Sequence, residues 1–174
     1  MPRNIEIKAR IASVAAMLPR AMALADGPAQ QLAQDDTFFT VPHGRLKLRV
    51  FGDGSGELIH YLRPDQGGPK LSDYLLAPVA APAPLRDALT RSCGLLGRVR
   101  KRRTLLLAGQ TRIHLDEVEG LGSFLELEVV LRDDQSEAQG QAVANALLSR
   151  LGLCAGQLLS GAYLDLLLEA GAAA

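Results

Sequence analysis

The chain has 174 residues, with 19 basic and 19 acidic side chains and a formal net charge of zero. That balance removes the global field that nucleic acid or a membrane surface would exploit, and an aromatic content of 4% leaves few platforms for stacking bases. A hydrophobic share of 48% excludes a disordered chain, and the length suits one domain over residues 1–174. Met1-Pro2-Arg3-Asn4 opens no apolar leader, and no uncharged apolar run is long enough to cross a bilayer. Cys93 and Cys154 lie far apart and read as ordinary thiols. A cytoplasmic protein without nucleic-acid or membrane partners is expected.

The first stretch, Asn4 to Arg10, alternates polar and apolar residues and reads as a strand with Asn4, Glu6, Lys8 and Arg10 on one face. Ser13 is placed to cap a helix running to about Ala25, which Pro19 should kink or divide. Gln34 to Phe39 reads as a short strand or its approach, and Pro42-His43-Gly44 as a turn. Arg45-Leu46-Lys47-Leu48-Arg49-Val50 alternates strictly, and Asp53-Gly54-Ser55-Gly56 joins it to a partner strand over Glu57–Arg63. Gln66 to Lys70 is a loop that presents Lys70, and Ser72-Asp73-Tyr74 begins another extended piece. The Ala- and Pro-rich stretch from Ala77 to Pro84 reads as a connector into a helix that ends at Cys93-Gly94. Strands follow over Val99–Leu107, Thr111–Val118 and Phe124–Leu131. Ser136 caps a helix to about Leu151, and a final helix is expected over about Ala155–Glu169. Strands in hairpins with helices between them make an antiparallel α+β fold, with no βαβ alternation.

One parity collects the charge on every strand. It holds Glu6, Lys8 and Arg10; Arg45, Lys47 and Arg49; Tyr61 and Arg63; Lys101 and Arg103; Arg112, His114 and Asp116; Glu126 and Glu128. The opposite parity is mostly Ile, Leu and Val. A single Arg-x-Lys-x-Arg strand is ordinarily a solvated face. Recurrence over five strands instead predicts a closed barrel with a charged interior and helices packed outside. So basic an interior, self-repelling when empty, suits a polyphosphate gripped by Arg forks and Lys heads. The carboxylates would hold a divalent cation, Mg²⁺ or Mn²⁺. His114, as a lone histidine, reads as a structural hydrogen-bonding residue or a ligand. Tyr163 reads as helix packing or as a closure of the tunnel. Arg100 and Arg102 have outward parity. Arg10 and Arg49, at strand ends, are expected near a mouth.

These motifs together resemble the CYTH superfamily, the triphosphate tunnel metalloenzymes, which includes class IV adenylyl cyclases and thiamine and inorganic triphosphatases. Asn4-Ile5-Glu6-Ile7-Lys8 is similar to its Glu-x-Glu-x-Lys signature. Arg45-x-Lys47-x-Arg49, Tyr61-x-Arg63, Lys101-x-Arg103, Arg112-x-x-x-Asp116 and Glu126-x-Glu128 follow in order. The resemblance implies an eight-stranded antiparallel tunnel. It implies metal-binding carboxylates at Glu6, Glu126 and Glu128 with Asp116 close by, and triphosphate contacts from Lys8, Arg45, Lys47, Arg63, Lys101, Arg103 and Arg112. Lys70, in its Gly-Pro loop, could close over the substrate. Lys8, Lys101, Arg103 and Asp116 are the expected catalytic group. Arg63-Pro64-Asp65 to Tyr74 and Ser160 to Leu167 look like the cyclase branch, so conversion of ATP to cyclic AMP is expected ahead of triphosphate hydrolysis or non-catalytic binding.

Asn4 departs from the signature, because it offers a neutral carbonyl where the pattern has a charged ligand. Loss of a ligand weighs against water activation and leaves the cyclase reading, whose nucleophile is the substrate's own hydroxyl. A monomer and a homodimer both suit a chain of this kind.

Overall fold

The structure, a computed structural model, describes residues 3–62 and 70–171, without the side chains of Lys70, Ser72 and Ala155. In chain order the elements are β1 (Arg3–Arg10), α1 (Val14–Met22), β2 (Gln30–Phe39), β3 (Arg45–Phe51), β4 (Gly56–Leu62) and β5 (Lys70–Val79). They continue as α2 (Pro82–Cys93), β6 (Leu95–Ala108), β7 (Thr111–Val118), β8 (Gly122–Val130), α3 (Glu137–Leu151), a 3-10 turn (Ala155–Gln157) and α4 (Tyr163–Glu169). The strands close into a barrel in the order β1-β5-β4-β3-β2-β6-β7-β8, with every neighbour antiparallel.

Parity along each strand decides what faces where. Ile5 and Ile7 of β1, Ile113 and Leu115 of β7, and Leu125 and Leu127 of β8 point outward and are fully buried. They meet Ala144, Leu147, Leu148 and Leu151 of α3 and Met17 and Ala21 of α1 in one cluster. Burial of each large aliphatic side chain contributes about 1.5–3 kcal/mol, so this layer is the main source of stability. Close approach of α3 requires Gly140, because a Cβ there would collide with Leu131 and lie 2.8 Å from Ile5. The helix starts with a reciprocal cap: Ser136 Oγ accepts from the Gln139 amide at 3.3 Å, and Gln139 Oε1 accepts from the Ser136 amide at 2.9 Å.

Several boundaries differ from the sequence reading: β2 starts at Gln30 and β6 at Leu95, each four residues earlier than read, and three further differences have a clear cause. Helix α1 contains Pro19 without a break and stops at Met22; Leu24 and Ala25 then make tighter three-residue bonds to Ala21 and Met22. Ala77-Pro78-Val79 belongs to β5 and is no connector. The N–H that Pro78 lacks costs no ladder bond there, because β1 pairs only with Lys70–Asp73 and leaves the rest of β5 with β4 alone. The same short pairing opens the edge of β1 at Lys8–Arg10. Residues 158–159 fill it: Leu158 bridges Ala9, and the Leu159 amide donates to the Lys8 carbonyl at 2.9 Å. The final helix therefore begins at Tyr163 and not near Ala155. It lies over inward-facing Phe38, Val99, Val118 and Phe124, whereas α1, α2 and α3 pack on the outer wall.

Candidate active site

The barrel interior is a cavity of about 370 Å³. Its charged wall is written into the register. Glu6 on β1 sits opposite Glu128 on β8, which sits opposite Arg112 on β7; one step along, Lys8, Glu126 and His114 form the same three-strand row. Arg103 reaches across from β6, with one nitrogen 2.8 Å from Glu126 and its fork bidentate on Asp116 at 2.7 and 2.8 Å. Arg112 donates to Glu128 at 2.8 Å, and the Lys8 ammonium lies 3.6 Å from Glu126. Among the described residues, the opposite wall, from β4 and β5, holds Glu57, Ile59, Tyr61, Tyr74 and Leu76.

A second knot centres on Asp36 of β2, whose side chain is 1% exposed. It accepts from Lys47 at 3.1 Å, from Arg49 at 2.7 and 2.8 Å and from Lys101 at 3.2 Å, tying β2, β3 and β6. Burial would push this carboxyl up, but Arg49, Lys101 and Lys47 outweigh it and hold it well below the usual carboxylate range. Burial brings the Lys101 ammonium down to about 7, with Asp36 opposing the fall and Arg49, Arg103 and Lys47 adding to it. Burial also acts to raise Glu126; Lys8, His114 and Arg103 overcome it, so the group stays ionised well below its ordinary value. Tyr163 enters the cavity from the start of α4. Its hydroxyl donates to Asp116 at 2.8 Å, and its ring lies 4.0 Å from the Lys8 ammonium and 5.6 Å from that of Lys101. Burial and the neighbouring Asp116 hold its hydroxyl well above the ordinary phenol range.

Of the residues singled out from sequence, Glu6, Lys8, Lys47, Lys101, Arg103, Arg112, Glu126 and Glu128 line this one cavity. Asp116 does not; it is fully buried behind Arg103, which it orients, and it is not among the grouped metal donors. Arg45 is not among the lining residues either, because both its terminal nitrogens grip Asp165 of α4 at 2.9 Å. Arg63 and the side chain of Lys70 lie outside the described residues. Arg49 belongs to the interior knot and not to a mouth, whereas Arg10 is exposed and stacks 4.7 Å over the Phe124 ring. Arg100 and Arg102 face outward as expected. The interior is also not the unbalanced basic surface that the strand motifs suggested. Six cations line it beside five carboxylates, Glu6, Asp36, Glu57, Glu126 and Glu128. Asp36 was not singled out from sequence, and Tyr163 closes the cavity where packing was the competing reading.

Residues 2–163 match the family model of the CYTH domain. The chain belongs to the CYTH domain family. A search of curated proteins gave no match. Among solved structures, the PH1012 protein of Pyrococcus horikoshii superposes with a TM-score of 0.83 at 22% identity, over 94% of this chain and 98% of that one. A proposed adenylate cyclase of Vibrio parahaemolyticus gives 0.76 at 17%, over 94% and 97%. A proposed adenylyl cyclase of Hippeastrum, whose dominant activity is that of a triphosphatase, gives 0.66 at 16%, over 98% and 96%. At these identities the likeness concerns the fold. CYTH proteins depend on a metal, and this CYTH chain has a donor set that fits a divalent cation: His114, Glu126 and Glu128 offer atoms within 4.8 Å of one another. His114 Nδ1, buried beside both carboxylates, has no hydrogen-bond partner among the described residues. Asn4 Oδ1, in the signature position and lining the same cavity, is likewise buried and has no partner among the described residues.

Proposed function

We propose that this CYTH protein is a metal-dependent enzyme acting on a nucleoside triphosphate, an adenylyl cyclase of class IV type that converts ATP to cyclic AMP and pyrophosphate. The observation that carries the reading is the two-sided cavity. Among the described residues, cations and carboxylates from β1, β2, β3, β6, β7 and β8 face a side from β4 and β5 where Ile59, Tyr61, Tyr74 and Leu76 accompany a single charged group, Glu57. A bare polyphosphate has no use for that wall; a nucleoside does.

In this reading Lys8, Lys47, Arg103 and Arg112 hold the phosphate oxygens, with Arg forks and Lys heads in place before substrate arrives. Glu126 and Glu128, with Glu6 across the ladder, are the candidate carboxylate ligands of Mg²⁺ or Mn²⁺. When bound, the metal neutralises charge on the phosphates and on the departing pyrophosphate. The bond that forms joins the 3′-oxygen to the α-phosphorus, and the bond that breaks is the one from that phosphorus to the bridging oxygen. The hydroxyl proton needs an acceptor, and Lys101, poised at about 7, is the group whose proton affinity suits it. Asp116 and Tyr163 keep Arg103 aimed at the cavity.

Hydrolysis is the second reading, and the same poise of Lys101 favours it, since a base near neutrality serves a water as well as a hydroxyl. Incubation with ATP, inorganic triphosphate and thiamine triphosphate in turn, each with Mg²⁺ or Mn²⁺, separates the two. Cyclic AMP with pyrophosphate is the expected product pair. Orthophosphate release without cyclic AMP would replace the cyclase by a triphosphatase.

A further inference from the structure

We propose that His114 is a metal ligand, and that together with Glu126 and Glu128 it makes this site select a first-row transition-metal dication such as Mn²⁺ over Mg²⁺. The inference rests on the metal-dependent reading of the cavity and narrows it to a class of ion.

The histidine is in an unusual position for a structural residue. Its side chain is 4% exposed, yet Nδ1 has no hydrogen-bond partner among the described residues. Buried polar atoms are nearly always partnered, so an orphaned one asks for an explanation. The nearest groups are Glu126 Oε2 at 3.6 Å and Glu128 Oε1 at 3.8 Å. Those separations are too long for hydrogen bonds and suit a shared ion. Two atoms bound to one cation at about 2.1 Å lie at most about 4.2 Å apart. His114 lies within ion-pair reach of both carboxylates, yet Arg103 already serves Glu126 and Arg112 already serves Glu128, each at 2.8 Å, so neither depends on it for a charge partner.

The placement is a property of the barrel. His114 faces Glu126 directly across the β7–β8 ladder, and Glu128 is the next inward residue of β8. All three donors therefore stand on strands, held before any ion arrives. The chemistry of the set then chooses the ion. Mg²⁺ is a hard cation that takes oxygen ligands and sheds its waters reluctantly, whereas an imidazole nitrogen suits the transition dications, whose affinity for mixed N/O sites rises along the first row. Asn4 adds to the contrast, since it brings to the same cavity a neutral amide and no carboxylate.

The test reads the metal and not the turnover. The purified chain is loaded with Mn²⁺ and examined by pulsed electron paramagnetic resonance for coupling to a directly bound imidazole nitrogen. Mn²⁺ and Mg²⁺ affinities of the wild type and of His114→Gln are then measured by calorimetry. The expected result is nitrogen coupling in the wild type that disappears in H114Q, with the Mn²⁺-to-Mg²⁺ affinity ratio falling about 10-fold or more. Mn²⁺ that fails to bind, or binds without nitrogen coupling, overturns the proposal, and so does an unchanged ratio in folded H114Q. The wild-type spectrum decides even if the variant does not fold. Product formation from a triphosphate with no nitrogen coupling would sink this inference and leave the proposed function standing. Nitrogen coupling with no product from any triphosphate would do the reverse.

Discussion

Asp36→Asn tests whether the interior is held together by one carboxylate. Asp36 accepts four charge-assisted bonds at 2.7–3.2 Å from Lys47, Arg49 and Lys101. The asparagine keeps the shape but leaves three cations around a neutral amide. Removing one partner of a buried ion pair costs about 3–5 kcal/mol, and the retained acceptor oxygen puts this case near the lower end, about 3 kcal/mol. Urea unfolding at pH 6, followed by far-UV circular dichroism, measures the loss. The pH dependence has a definite sign. The folded carboxyl is held well below its unfolded value of about 3.9, so its contribution is complete above about pH 4 and is lost as pH falls through the depressed folded value. The gap between wild type and variant should be widest near pH 5 and narrow in acid. It should narrow again as pH rises toward 7, because Lys101, which loses the pull of Asp36 in the variant, gives up its proton there at a lower pH than in the wild type, and it should be flat once Lys101 is neutral in both. Tripolyphosphate at about 100 times its Kd should restore about 2.7 kcal/mol to the variant by supplying the missing anion. A loss below about 1 kcal/mol at pH 6 would mean that water screens the three cations and that Asp36 is no knot.

Glu128→Gln should lower metal affinity at least about tenfold while the melting temperature holds, because its pair with Arg112 is partly exposed; calorimetry and a thermal melt check both. Glu126 is the poorer choice for that experiment, since it is buried against Lys8 and Arg103 and its loss would also cost stability. Tripolyphosphate binding at constant ionic strength should weaken from pH 6 to 8 as Lys101 loses its charge near 7, and Lys101→Arg should remove that step; an equal slope in both proteins would refute it. Tyr163→Phe deletes a buried 2.8 Å bond to ionised Asp116 and should cost about 1.5–3 kcal/mol in urea unfolding. Gly140→Ala drives a methyl into Leu131 and Ile5 and should cost about 1–3 kcal/mol by the same assay, with ligand binding unchanged.

The strands were legible because a barrel wall imposes period two on everything it contains. Lys8, Lys47, Lys101, Arg103, Glu126 and Glu128 could be assigned to one interior from parity alone. What escaped was whatever depended on a neighbour remote in sequence. Asp36 sits in Gln34-Asp35-Asp36-Thr37, where four polar residues in a row show no alternation, and only Lys47, Arg49 and Lys101 reveal which of them points inward. Asp165 removes Arg45 from the cavity across a sequence separation of 120 residues. The Leu-rich C-terminus reads as one helix, yet the unpaired edge of β1 draws residues 158–159 into an extended bridge first. Pro78 misled because a proline argues against a strand only where both edges are paired.

The near balance of charge inside the tunnel bears on how it can take a polyanion at all. Arg103 and Lys8 are engaged with Glu126, Arg112 with Glu128, and Lys47, Arg49 and Lys101 with Asp36. A triphosphate entering this arrangement alone would meet cations already neutralised and carboxylates that repel it. A divalent cation on Glu126 and Glu128 changes both terms together: it cancels the repulsion and releases Lys8, Arg103 and Arg112 to phosphate. Binding of metal and of triphosphate should therefore each raise the affinity for the other by the same factor, as linkage requires. Calorimetry of tripolyphosphate with and without Mn²⁺, and of Mn²⁺ with and without tripolyphosphate, measures that factor from both sides. A factor of one, after correction for the complex the two ligands form in solution, would show that the glutamates and the cations act as separate sites.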